Sequence, residues 1–158
     1  MKQKIKPYII SILIALAVGA LSAFLTRNNM DIYSEVVTPP LSPPSILFPR
    51  VWTVLYILMG ISAAMIYTDS TASRSAKENA LTTYAASLIF NFAWSIIFFN
   101  LRAFLVSFVW LLVLLGLIIK TIADYRKINK TAAYLQIPYA LWVTFAGYLN
   151  LGIWWLNR

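Results

Sequence analysis

The sequence predicts an all-α integral membrane protein, a bundle of five transmembrane helices forming one domain over residues 1–158, and three observations carry that reading. The first is composition: 61% of the residues are apolar and 11% charged, against roughly 45–50% and about 25% in an ordinary soluble domain. The second is distribution. Five apolar runs, at residues 8–25, 51–67, 81–101, 104–119 and 131–156, each come near the roughly 20 residues that cross the hydrocarbon of a bilayer. The third is the lack of period-2 alternation within those runs. Every backbone N–H and C=O in lipid must be paired inside its own segment or in a closed barrel, and barrel strands alternate. Helices remain.

The first run follows Lys2, Lys4 and Lys6 and approaches Ala20 and Ser22, a layout shared with cleavable signal peptides. Ser11, Ala15, Gly19 and Ala23 recur at every fourth position, however. A face of small residues lets a neighbouring helix come close, so a retained first helix is the reading that uses them. Residues 26–50 form the one long connection and hold Pro39, Pro40, Pro43, Pro44 and Pro49. Proline fixes φ and keeps its predecessor extended, which predicts a stiff, non-helical cover over one end of the bundle. In the second run Trp52, Tyr56 and Met59 share a helical face. Residues 68–79 are polar and rich in Ser and Thr, and read as a solvated turn. The third run places Asn91, Trp94, Ser95 and Phe98 on one face; the fourth is apolar throughout; the fifth aligns Trp142, Phe145, Ala146, Leu149 and Asn150. Stripes that mix rings with a polar atom suit a cavity for a flat, apolar ligand. Helix packing and interfacial anchoring are the competing uses of the same pattern.

The net charge of +8 resides almost entirely between the runs. Alternating spans put Lys2, Lys4, Lys6, Arg74, Lys77, Lys120, Arg126, Lys127 and Lys130 on one side, and Arg27, Arg50, Arg102 and Arg158 on the other. The excess of Lys and Arg on the first side predicts a multi-pass protein of the cell membrane with its N-terminus in the cytoplasm. Membrane insertion and anionic lipid headgroups account for the charge, and no nucleic-acid partner is expected. The chain has no histidine and no cysteine. That excludes disulfides, Cys/His zinc sites and His-activated nucleophiles, so no metal site and no conventional catalytic constellation are expected. The acids Asp31, Glu35, Asp69, Glu78 and Asp124 all fall in loops or at span ends, whereas proton-coupled transporters and pumps keep a carboxylate inside the membrane.

Three motifs in order, PPSILFPRVWTVLYILMG at 43–60, NFAWSIIFF at 91–99 and PYALWVTFAGYLN at 138–150, closely resemble the TspO/MBR family, the tryptophan-rich sensory proteins of bacteria and the mitochondrial translocator protein, or peripheral-type benzodiazepine receptor. The likeness covers nearly the whole chain. It implies a homodimeric five-helix protein that binds porphyrins such as protoporphyrin IX, and in some members benzodiazepine-type drugs, in a cavity near the first loop. Family pocket positions fall on Tyr33, Trp52, Asn91, Trp94, Trp142 and Ala146, with Pro44, Phe145, Leu149 and Asn150 as neighbours. Trp52 and Trp142 match the tryptophans that the family links to light-dependent porphyrin breakdown, which makes them candidates for a photochemical role. Leu41 and Ser42 stand where members often carry an aromatic, and the last helix lacks the Tyr and basic residue of the mammalian sterol motif. Sterol binding is therefore not carried over. Without His or Cys the chain has no strong iron ligand, so a metal-free porphyrin is the expected ligand, or a metalloporphyrin held only by its face, and no cofactor is required. Arg27 or Arg50 is the expected partner of its propionates. Alternatives are a tetrapyrrole or lipid transporter, and a regulatory membrane partner without catalysis.

Overall fold

Apolar residues with few helix breakers wind this chain into long helices, and polar caps decide where they stop. A computed structural model describes residues 2–158, with side chains from Ile5 onward. Met1 and the side chains of Lys2 and Lys4, part of the basic N-terminal cluster, lie outside the described residues. Among those residues the order is α1 (Lys2–Thr26), a 3-10 turn (Arg27–Asn29), α2 (Ile32–Glu35), α3 (Leu47–Tyr67), α4 (Arg74–Ser95) prolonged by a π turn (Ile96–Asn100), α5 (Phe104–Ile128) and α6 (Lys130–Leu156).

Each of the five long helices carries one of the five apolar runs. Four of them, α1, α3, α4 with its π turn, and α5, are long and apolar enough to cross a membrane. The fifth, α6, is as long, but its tyrosines and tryptophans, Gln136 and Asn150 lower its mean hydropathy, and it packs against both α3 and α5. Large apolar side chains such as Leu13, Phe24, Val54, Ile89 and Val106 point outward, as a multi-pass membrane protein requires. Going round the ring, the neighbours are α1, α3, α6, α5 and α4, and the seam between α4 and α1 is the slightest contact.

Two close approaches fix the α1–α3 pair. A Cβ on Gly60 would stand 2.5 Å from the Ile12 Cα, and one on Gly19 would stand 2.4 Å from the Tyr56 ring. Ala15 is fully buried, so the central part of the small-residue stripe packs within the chain; Ala23 at its end is exposed. Hydrogen bonds cross other seams: the Ser62 hydroxyl donates to the Ala132 carbonyl at 2.7 Å, and Trp110 Nε1 donates to the Phe90 carbonyl at 2.9 Å.

The helix ends correct several boundaries. Residues 68–79 are a turn only as far as Ser73, whose hydroxyl accepts the Ala76 N–H at 3.1 Å and starts α4. Arg74 and Glu78 then pair one turn apart at 2.8 Å, which keeps a polar segment helical beyond the apolar run. In the turn itself Asp69 Oδ1 accepts from the Thr71 hydroxyl and from the backbone N–H groups of Thr71 and Ala72, and these bonds hold its carboxyl below the usual range. Helix α5 runs to Ile128 rather than 119, supported by the Lys120–Asp124 pair at 2.8 Å. Asn129 ends it and caps α6 through the Ala132 N–H at 3.1 Å.

The 26–50 connection is not wholly non-helical. Its prolines all follow Val36, so residues before that point remain free to form the 3-10 turn and α2. The cover is fastened on two sides. Asn29 Nδ2 donates to Asn100 Oδ1 at 2.8 Å and Glu35 pairs with Arg102, which ties it to the α4–α5 turn. The Asn157 side chain accepts the Val37 N–H at 2.9 Å and donates to the Val37 carbonyl at 2.8 Å, and the Tyr148 hydroxyl donates to the Pro40 carbonyl at 2.6 Å. Pro39 is buried against Gly152, where a Cβ would stand 2.6 Å from the ring. Leu41 takes a φ of 69° at the exposed tip.

Candidate ligand-binding site

Beneath the cover lies a cavity of about 350 Å³, within the roughly 300–1,000 Å³ of small-molecule sites. Each wall follows from helical spacing. On α3, Trp52 and Tyr56 lie one turn apart and stack at 5.6 Å between ring centroids. Tyr139 of α6 meets Trp52 edge-on at 6.2 Å. On α4, Asn91, Trp94 and Ser95 face inward, and the wider winding of the π turn lets the consecutive Phe98 and Phe99 both line the cavity. Trp94 stacks on Phe98 at 5.1 Å. Helix α6 contributes Trp142, Ala146, Leu149 and Asn150. From the cover, the Tyr33 ring lies flat on Phe48, 4.9 Å away with an interplanar angle of 9°, and Phe48 meets Trp142 at 5.8 Å. Small residues of α1, Gly19, Ala20 and Ala23, line the remaining side.

The polar atoms divide into spent and free. Asn150 Oδ1 accepts from Trp94 Nε1 and from the Ser107 hydroxyl, each at 3.0 Å, and its Nδ2 donates to the Phe104 carbonyl at 2.8 Å. Its side chain joins α4, α5 and α6, with its Oδ1 fully used and one Nδ2–H left over. Asn91 Nδ2 donates to the Tyr56 hydroxyl at 3.2 Å. Trp142 differs: its Nε1–H is buried and has no hydrogen-bond partner. It is one of six such atoms among the described residues, with the hydroxyls of Tyr84, Tyr125 and Tyr139 and both polar side-chain atoms of Gln136.

Eight of the ten sequence-predicted site residues, Tyr33, Trp52, Asn91, Trp94, Trp142, Ala146, Leu149 and Asn150, line this one cavity. Pro44 does not; it lies exposed in the cover. Phe145 is outside the lining and supports Trp142 from behind at 5.6 Å. Of the stripe residues, Met59 is fully buried core. Neither arginine expected at the mouth is in the lining. Arg27 folds back on α1, donating to the Phe24 carbonyl at 2.6 Å and covering the Phe24 ring, because the open carbonyls of a helix C-terminus attract a cation. Arg50 is exposed on α3.

Sequence reasoning missed Phe48, Phe99 and the whole α1 wall. Phe99 becomes inward-facing only through the π turn, which no periodicity announces. The α1 wall is built of small side chains, and the stripe at Gly19 and Ala23 was its only signal. The cavity lining holds no Asp, Glu, Lys or Arg, and among the described residues no cluster of metal-ligating side chains occurs. What remains is ring stacking, apolar burial and hydrogen bonding. The lining residues Ala20 and Ala23 of α1, Met30 of the cover, and Pro49 and Thr53 of α3 are exposed, so the cavity reaches the surface on the side where α1, α3 and the cover meet.

Comparison with known proteins gives a consistent answer. The sequence profile of the TspO/MBR family matches residues 11–156. The tryptophan-rich protein TspO of Chlorobaculum tepidum is 35% identical over 99% of this chain and 99% of its own. The translocator protein of Bos taurus is 32% identical over 89% of this chain and 83% of its own. The tryptophan-rich sensory protein of Cereibacter sphaeroides is 30% identical over 79% and 76% respectively.

Proposed function

The chain belongs to the TspO/MBR family, and on that premise we propose that it binds a flat, apolar, acceptor-bearing molecule of the porphyrin class, with protoporphyrin IX as the working ligand. The observation that carries the reading is the uncharged wall of aromatic rings, Tyr33, Phe48, Trp52, Trp94, Phe98 and Trp142, around one cavity; the buried, unpartnered Trp142 Nε1–H in that wall is assigned to the ligand as part of the same proposal. A purely hydrocarbon guest would leave that donor unmet. A ring nitrogen, carbonyl or carboxylate would satisfy it, while Trp52, Trp94 and Tyr33 supply faces for offset stacking, each such pair adding about 0.5–1.5 kcal/mol beyond burial. With no His or Cys in the chain the strongest iron ligands are absent, so a metal-free porphyrin is the preferred ligand and a metalloporphyrin would be held only by its face.

The relatives' names, sensory protein and translocator protein, support a sensing or transport role at the membrane. The opening where α1, α3 and the cover meet favours exchange of ligand with the bilayer, which suits a carrier as well as a sensor. Benzodiazepine-type drugs are apolar, aromatic and acceptor-bearing too, and we assign them to the same cavity. The asymmetry of Lys and Arg supports a place in the cell membrane with the N-terminus in the cytoplasm; a homodimer rests on the family resemblance alone.

The test is titration of the purified, detergent-solubilised chain with protoporphyrin IX, read by Trp fluorescence in the dark and by porphyrin absorbance under light, beside a Trp52→Phe/Trp142→Phe variant. Saturable quenching weakened by the double substitution is the expected result, and light-driven loss of absorbance that needs the two indoles would assign them the photochemical role. Absence of saturable binding overturns the porphyrin reading.

A further inference from the structure

We propose that the groove between α1, α3 and α4, at the end of the bundle opposite the cover, binds one anionic phospholipid from the leaflet that contacts the N-terminus. The groove encloses about 600 Å³. Its floor is made by the buried Ala63, Ala64, Tyr84 and Leu88, and its sides by the exposed Ile10 and Ile14. The α1 lining from Lys6 to Ile14 extends about 12 Å along the helix axis, so the trough runs inward from the membrane surface in the direction of an acyl chain. It lies along the α4–α1 seam, the slightest contact in the ring.

The rim is basic. Lys6 stands in the lining beside Tyr67, and the lining holds no Asp or Glu. Lys77 reaches the same place, since its Nζ donates to the Tyr67 carbonyl at 3.1 Å and to the Asp69 carbonyl at 2.8 Å. Of the nearby acids, Glu78 pairs with Arg74; Asp69 stays charged, held by Thr71 and Ala72 and close enough to Lys77 to share its field, which leaves Lys6 as the cation without an acidic neighbour in the lining. Two cations above an apolar trough match a phosphodiester above a hydrocarbon chain. A second copy of the chain is a poorer occupant, because two such rims would bring like charges together.

Native mass spectrometry of the delipidated chain, offered equal amounts of phosphatidylglycerol and phosphatidylcholine with identical acyl chains, tests this. The expected result is a single saturable adduct that favours phosphatidylglycerol on the order of tenfold. Lys6→Gln with Lys77→Gln should bring the preference to parity. Ala85→Trp and Ile10→Trp, both at exposed rim positions, should each remove the adduct while leaving the helical circular dichroism unchanged. Equal binding of the two lipids, a preference that survives loss of both lysines, or an adduct that survives both tryptophans overturns the proposal. So does conversion of a dimer to a monomer by Ala85→Trp with no lipid adduct seen in the parent chain, because the groove is then an interface between copies.

Discussion

Replacing Trp142 with Phe should separate stability from binding. In the ligand-free protein the Nε1–H is buried and unmet, a state that costs about 1–3 kcal/mol. Phenylalanine removes the donor and keeps a ring against Phe48 and Phe145; the smaller ring gives back part of that gain as lost contact. Stability should therefore stay level or rise by up to about 2 kcal/mol. Binding should move the other way. Loss of one hydrogen bond to a neutral acceptor is worth about 0.5–1.5 kcal/mol, or about 2- to 12-fold in Kd, and loss of one to a carboxylate about 1.5–3 kcal/mol, or roughly 12- to 150-fold. Trp94→Phe is the control, because its Nε1–H already has Asn150 at 3.0 Å; that variant should lose about 1 kcal/mol of stability and change porphyrin affinity less. Thermal unfolding in detergent without ligand, followed by dark titration with protoporphyrin IX, reads both quantities. Unchanged affinity in Trp142→Phe, or a loss of stability as large as that of Trp94→Phe, would refute the assignment of the indole N–H to a ligand.

Other outcomes follow from the same structure. Gly60→Leu must push α1 from α3, because its Cβ meets the Ile12 backbone at 2.5 Å; thermal unfolding should show a loss of about 1–3 kcal/mol or more, while Gly116→Ala, with nothing within 4 Å, should gain up to about 1 kcal/mol of helix propensity. Asn150→Leu strips Trp94 of its acceptor and should cost on the order of 2 kcal/mol; combined with Trp94→Phe the loss should be less than additive in a double-mutant cycle. The Asp69 carboxyl is held below its usual range, so its contribution is complete above the unfolded carboxylate pKa of about 3.9 and is lost as pH falls through the lower folded value. The amide resonances of Thr71 and Ala72 should move in that acid window and cease to do so in Asp69→Asn.

The helices were legible because hydrocarbon imposes one length and one composition on whatever crosses it. Their ends were not, since the cues there are polar and local. The Ser73 cap and the Arg74–Glu78 pair lie in a stretch that composition alone marks as loop, and α2 is a single turn too short to show a period. Within the site, Trp52, Asn91, Trp94 and Trp142 could be grouped because i, i+3 and i+4 spacing survives into the fold. Asn150 shows the limit of that reasoning: its position on the inner face was legible, whereas its three hydrogen bonds to α4 and α5 depend on helices whose register the sequence does not state. Arg27 and Arg50 show another, as proximity along the chain to the cavity mouth did not decide which way either side chain turns.

The opening where α1, α3 and the cover meet has a practical meaning for any affinity measured on this protein. With the cover fastened to the α4–α5 turn and to Asn157, the proposed ligand would be supplied from the lipid phase, and the quantity that would set occupancy is its mole fraction there. An apolar ligand partitions strongly from water into micelle or bilayer, so doubling the amphiphile at fixed total ligand dilutes it at the portal and weakens the apparent Kd with no change in the site. Occupancy curves taken at several lipid-to-protein ratios should collapse onto one line when plotted against mole fraction in the membrane.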